Sequence, residues 1–118
     1  MDYLELFIAP VPSTNRAAYE KMAATMMQVH KDLGALEVSE FWGADIPDGE
    51  VTSFPKAVDL AEGETVACGW IRWPSKAVRD AAYEKMMEHP LMEEVVSAGF
   101  PFDGKRLILG GFDPLFKE

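Results

Sequence analysis

The sequence predicts an α+β domain of the ferredoxin-like kind, a βαββαβ sandwich with a four-stranded antiparallel sheet, and three observations predict it. The hexapeptide Ala-Ala-Tyr-Glu-Lys-Met occurs at Ala17–Met22 and again at Ala81–Met86, each time soon after an apolar strand-like run, a proline and a serine. Such self-similarity marks duplicated supersecondary units. Four stretches alternate in side-chain character with the period of a strand, and with the two helical patterns they read as paired βαβ halves in one open sheet. Two helices can cover only one face of that sheet, yet the first, third and fourth strands carry apolar residues on both faces. The second face therefore needs its own shield. The simplest shield is another copy packed face to face across a two-fold axis, which predicts a homodimer.

A chain of 118 residues fits one domain, residues 1–118, able to bury roughly two-thirds of its unfolded surface. No apolar run approaches the roughly 18 residues that cross a bilayer, and no basic segment followed by an apolar stretch opens the chain, so a cytoplasmic protein without membrane partners is expected. The single cysteine, Cys68, sits in the apolar pattern Val66, Cys68, Trp70 and reads as a small buried hydrophobe rather than a reactive thiol. Twenty acidic against eleven basic residues give a net charge of -9, a field that repels phosphate backbones and disfavours nucleic acid.

Residues 3 to 9 alternate, with Leu4, Leu6 and Ile8 facing one way and Tyr3, Glu5, Phe7 and Ala9 the other. Pro10 and Pro12 should end this strand, because neither can donate to a ladder. Ser13, Thr14 or Asn15 then caps a helix running to about Leu33, with Gly34 suited to a left-handed carboxyl-terminal cap. Its Tyr19, Met22, Met26, Val29, His30 and Leu33 keep the spacing of a buried stripe. Residues 36 to 42 form the second strand, Leu36, Val38, Glu40 and Trp42 opposite Glu37, Ser39 and Phe41. From Gly43 to Gly63 runs a long connection, punctuated by Pro47-Asp48-Gly49, Phe54-Pro55 and Glu62-Gly63, with a short extended piece at Ala57 to Leu60. Long loops in small domains commonly serve function, so a lid or specificity element is expected here.

Thr65 to Trp73 is the third strand, and Ser75 caps a second helix, Lys76 to Met87, with Val78, Ala82, Tyr83, Met86 and Met87 on its apolar face. His89-Pro90 breaks it. A short helix from Leu91 to about Ala98 follows, closed by Gly99. Phe100 to Gly104 is a turn and Lys105 to Phe112 the last strand, with Leu107 and Leu109 opposite Ile108 and Phe112. Gly110-Gly111 marks a bulge or a close backbone approach, and Asp113 to Glu118 reads as a loosely held arm.

The segments Glu40-Phe41-Trp42-Gly43, Asp45-Ile46-Pro47-Asp48-Gly49, Trp70 to Ala81 and Pro101 to Arg106, with Gly110-Gly111-Phe112, resemble the YbaA-like family of uncharacterised bacterial proteins over nearly the whole chain. The resemblance implies the dimeric α/β-barrel superfamily, whose relatives include cofactor-independent quinone-forming monooxygenases, small isomerases and haem-degrading enzymes. It supplies no activity of its own. Ala44 and Ser53 stand where acidic residues are common in that family, which implies weaker binding of anything those acids would hold.

Among single residues, His30 is a catalytic candidate because it lies on the apolar stripe and titrates near neutral pH. No second His or carboxylate stands three or four residues from it to form a ligand pair or orient a base. Arg72, sharing a face with Trp70 and Cys68, is the second catalytic candidate. Trp42 and Trp70 would wall a site for a flat ligand, and Arg72 and Arg106 would meet its carboxylate or enolate. The ordinary alternatives are core packing or a dimer seam for the tryptophans, and salt bridges with Glu5, Glu37 or Glu40 for the arginines. His89, before Pro90, reads as a cap or a solvent-facing group. Asp45, Asp48 and Glu50 do not fit a calcium loop, and no phosphate loop or nucleophile elbow appears, so neither metal nor cofactor is expected.

Two functional readings remain. One is a dimer whose protomers each bind an aromatic or carbonyl-bearing metabolite in a cleft between sheet and helices, with oxygenation or isomerisation as the implied chemistry. The other is a non-catalytic interaction protein using the loop from Gly43 to Gly63 as recognition surface, with RNA association the least favoured partner. Whether that loop closes over a pocket discriminates them.

Overall fold

A computed structural model describes residues 2–116, so the last two residues of the expected carboxyl-terminal arm lie outside the described residues. The elements are β1 (Tyr3–Pro12), α1 (Arg16–Asp32), β2 (Glu37–Trp42), α2 (Phe54–Ala57), β3 (Glu64–Trp73), α3 (Lys76–Lys85), α4 (Met92–Ala98) and β4 (Ile108–Phe112). Among the described residues the sheet has four strands in the order β2-β3-β1-β4, every neighbour antiparallel. This is the ferredoxin-like arrangement, with β1 and β3 central.

Alternation then decides which side chains meet the helices. Tyr3, Ile71 and Trp73 pack with Ala35 and Ala82, and Val11 and Ala67 pack with Tyr19. A third cluster joins Val29 of α1 to Met92 and Val95 of α4. The opposite face carries Leu6, Phe41, Ile108 and Phe112, which are 38%, 51%, 43% and 51% exposed, so no helix covers it. Phe41 packs on Trp70 there, with ring centroids 5.0 Å apart.

Several local expectations need correction. β1 continues through Pro10 and Pro12, which pair with Val66 and Glu64. β4 has already ended opposite Ile8, so one side of β1 is an edge there, and an edge tolerates proline. Ser13–Asn15 form a 3-10 turn, and no side chain caps α1. Asn15 instead donates its Nδ2 to the carbonyl of Pro101. The piece from Ala57 to Leu60 is not extended: Ser53 accepts from the Lys56 amide and starts the single helical turn α2, with Pro55 tolerated in its first turn. α3 ends at Lys85 and tightens into a 3-10 turn at Met86–Glu88. Lys105 and Arg106 belong to a 3-10 turn capped by Asp103, so β4 begins at Ile108. Gly110 and Gly111 keep regular register with Leu6 and Glu5. Gly111 is a close approach, because a Cβ there would run into the Tyr3 hydroxyl and ring.

Candidate functional site

The helix-covered face of the sheet does not fill completely. Between it and the helices lies a cavity of about 370 Å³. Phe7, Ala9, Val38 and Ile71 form its floor on the sheet, and Met22 and Met26 of α1 form one wall. Met86 and Met87 form another, while Phe100, Phe102 and Leu107 come from the chain entering β4 and Leu109 from β4 itself. The floor is shaped by Gly69, opposite Phe7 in register. A Cβ on Gly69 would sit 2.7 Å from the Phe7 ring and 2.5 Å from the Ser39 carbonyl oxygen, so glycine is what lets that ring lie flat.

Among the described residues, four polar side chains line the cavity, Tyr19, His30, Glu40 and Tyr83. The repeated hexapeptide places two of them: Tyr19 and Tyr83, with Met22 and Met86, occupy its matching positions and line the cavity from α1 and from the α3 end. Tyr19 donates its hydroxyl to Glu40 Oε1 at 2.6 Å, and Tyr83 donates to Glu5 Oε2. Burial first, and then the facing carboxylate, push both phenols above their ordinary range, so both remain protonated near neutral pH. Burial raises the Glu40 carboxyl, against the Tyr19 hydrogen bond that lowers it.

His30 is buried, its ring edge-on to Trp73 with centroids 5.9 Å apart. Its Nδ1 lies 2.7 Å from the Met26 carbonyl oxygen, which can only accept, so Nδ1 carries the proton. Burial holds the imidazole below its ordinary pKa, opposed by that carbonyl and by the charge of Glu5. The ring is therefore neutral near pH 7, and Nε2 presents a lone pair.

Behind the cavity, Glu5 is fully buried on β1. It accepts from Trp73 Nε1 at 2.7 Å and from Tyr83, and pairs with Arg79 Nη1 at 3.5 Å. Arg79 also donates to the Tyr3 hydroxyl at 3.1 Å and lies over the rings of Tyr3 and Tyr83.

Of the five candidate site residues read from the sequence, His30, Arg72, Trp42, Trp70 and Arg106, His30 alone lines this cavity. Trp42 faces the helices but packs on Tyr19 and under Arg16, outside the cavity. Trp70 lies on the uncovered face and donates Nε1 to Glu37 at 2.8 Å. Arg72, beside it, pairs with Asp2 at 3.2 Å and Glu37 at 3.6 Å. Arg106 makes a bidentate pair with Glu64, both distances 2.8 Å, and reaches Asp103 and the Asp59 carbonyl. It thus ties the long connection to the turn before β4. No residue from Gly43 to Gly63 lines the cavity; Ala44, Asp45, Ile46 and Phe54 instead border a smaller recess with Phe41, Trp42 and Cys68. Burial raises the Cys68 thiol, so it stays protonated. His89 is a corner clamp, with Nε2 at 2.9 Å from Asp32 and Nδ1 accepting from the Leu91 amide. Tyr19, Glu40 and Tyr83, which line the cavity, and Glu5 behind it are not among the site candidates read from the sequence, although a lone Glu in an apolar strand face and a tyrosine repeated with its hexapeptide are the available signals.

Among the described residues, no group of three or more metal-ligating side chains occurs, and no helix is long and apolar enough to cross a membrane. Fold and site together define a class, a ferredoxin-like α+β protein with an apolar cavity between sheet and helices and a bare second sheet face. The chain belongs to the family described as a protein of unknown function, DUF1428, whose model matches residues 2–104. It is 47% identical to the uncharacterized protein YbaA of Escherichia coli K12 over 118 residues, all of both chains. A dimeric ferredoxin-like protein from an uncultured marine organism superposes with a TM-score of 0.58 at 10% identity, covering 99% of this chain and 98% of that one. SnoaB, a cofactor-independent oxygenase from Streptomyces nogalater, superposes with a TM-score of 0.51 at 11% identity, covering 98% and 95%. At such identities the likeness shows the fold alone.

Proposed function

We propose that the chain forms a homodimer through its bare sheet face and that each protomer binds a small aromatic or carbonyl-bearing metabolite in its cavity. The observation that carries the reading is the cavity itself, about 370 Å³ with, among the described residues, twelve apolar and four polar ones in its lining. That size and composition fit a small-molecule site, in which apolar walls supply affinity and a few polar groups set orientation. The likeness to a dimeric ferredoxin-like protein supports the assembly, and the likeness to a cofactor-independent oxygenase supports small-molecule chemistry in this fold.

The test is thermal-shift screening against a metabolite library, since a ligand held by the native state alone raises the melting temperature. Flat, largely apolar compounds are expected to score, and Met22→Trp, which fills the cavity, is expected to abolish their shift. A screen in which no apolar compound stabilises the protein would overturn the reading. One observation favours the interaction-protein alternative: the connection from Gly43 to Gly63 stays clear of the cavity and leaves Val51 94% and Phe54 53% exposed. That alternative predicts an empty screen.

A further inference from the structure

We infer that the cavity selects a neutral ligand that brings its own hydrogen-bond donors, an aromatic hydroxyl or N–H compound, and rejects carboxylates and phosphates. The inference rests on the proposed ligand cavity and narrows its occupant. It follows from where the protons of the lining side chains are already committed. The Tyr19 hydroxyl proton goes to Glu40 and the Tyr83 proton to Glu5, so towards the cavity each phenol oxygen offers only lone pairs. The proton of His30 goes to the Met26 carbonyl, which leaves Nε2 as an acceptor on the neutral ring.

Among the described residues no lysine or arginine lines the cavity. Arg72 and Arg106 are paired elsewhere, and Arg79 is held behind Glu5 by that carboxylate and two tyrosine rings. An anion entering here would lose its water and meet acceptors and the Glu40 carboxylate, an arrangement that costs desolvation and gains no partner. A ligand hydroxyl meets His30 Nε2 instead. In the described contacts His30 Nε2 has no donor partner, and the same holds for Glu40 Oε2 and the Tyr19 oxygen, so the lining meets a ligand with acceptors.

The experiment uses three probes of one shape, titrated by ligand fluorescence into the full-length protein at pH 8, well above the ordinary carboxylate range. They are 2-naphthol, which has a donor, 2-methoxynaphthalene, which has none, and 2-naphthoate, which is an anion. The expected order is naphthol tightest, the methyl ether weaker by about tenfold, which is the loss of one buried hydrogen bond, and naphthoate weakest. His30→Phe is expected to narrow the preference for naphthol over its methyl ether. Should that variant fail to fold, Glu40→Gln keeps an acceptor for Tyr19, adds an amide donor and removes the charge, and is expected to tighten naphthoate alone. Naphthoate binding as well as naphthol, or no preference for naphthol over its ether, overturns the inference while leaving the ligand cavity standing. Failure of all three probes together with an empty library screen overturns both.

Discussion

Glu5 sits on β1 between Tyr3 and Phe7, fully buried, where an apolar side chain would pack at no electrostatic cost. Burying a carboxylate is tolerable only when its charge and lone pairs are matched, and Trp73, Tyr83 and Arg79 supply that match. Glu5→Ala would strand the buried indole N–H and the Tyr83 hydroxyl, and leave the Arg79 guanidinium with only Asp80 and the Tyr3 hydroxyl. It is expected to lower unfolding free energy by about 3 kcal/mol in urea titration, whereas Glu5→Gln, which keeps an acceptor, should lose less. Equal losses would show that the pairing does not stabilise the fold.

A second prediction at this scale concerns pH. Because burial holds the folded-state pKa of His30 down, the unfolded chain takes up the proton first. The stability owed to the neutral ring is thus complete above the ordinary value of about 6.5 and declines as pH falls through it towards the folded value, by at most about 1.4 kcal/mol per pH unit. Glu40 runs the other way: its raised pKa gives a contribution present below the ordinary carboxylate value and lost as pH rises through the folded one. Between pH 7 and pH 5, wild-type stability should therefore fall more steeply than that of His30→Phe, and Glu40→Gln should steepen the fall. Parallel curves for wild type and the His30 variant would refute this account.

At the scale of elements, the two helices are secured by different devices. Ser75 accepts from the Val78 amide at 3.2 Å and caps α3, so Ser75→Ala should cost about 1 kcal/mol. Ser13 opens a 3-10 turn without a side-chain cap, so Ser13→Ala should stay within about 0.5 kcal/mol of wild type. Chemical denaturation of the two variants separates them, and a similar cost for both would sink the assignment. The strand alternation and helix stripes were legible in the sequence because apolar periodicity and burial are one signal. The three-dimensional pairing of partners was not. Pro10 and Pro12 read as stops because nothing local says that β4 ends before them, and Lys105-Arg106 reads as strand because its Asp103 cap competes with the ladder only once the turn has formed. Among candidate residues, His30 was legible from its place on the α1 stripe. Arg72 and Arg106 could be aimed at a ligand or ion-paired on the sequence alone; the fold pairs Arg72 with Asp2 and with Glu37, a partner the sequence offered, and Arg106 with Glu64, remote in sequence, and with Asp103 three residues before it.

For the whole molecule, the sheet has one face covered by helices and one that is not. Leu6 lies at the centre of the bare face, opposite Trp70 on β3 and Gly110 on β4, with Ile108, Phe112 and Phe41 exposed around it. A contiguous apolar surface of this kind costs free energy in water and is relieved by burial against a matching copy. A two-fold axis through the middle of the face would set Leu6 near its own counterpart, so that one substitution acts twice. Sedimentation velocity at micromolar concentration is expected to show a dimer, and Leu6→Glu, placing two carboxylates at the seam, should weaken it on the order of 100-fold or more. The cavity lies on the other side of the sheet and takes no lining from Leu6, so the monomeric variant should keep its naphthol affinity. A wild-type monomer would refute the assembly, and a Leu6→Glu monomer without ligand affinity would show that the two faces of the sheet are coupled rather than independent.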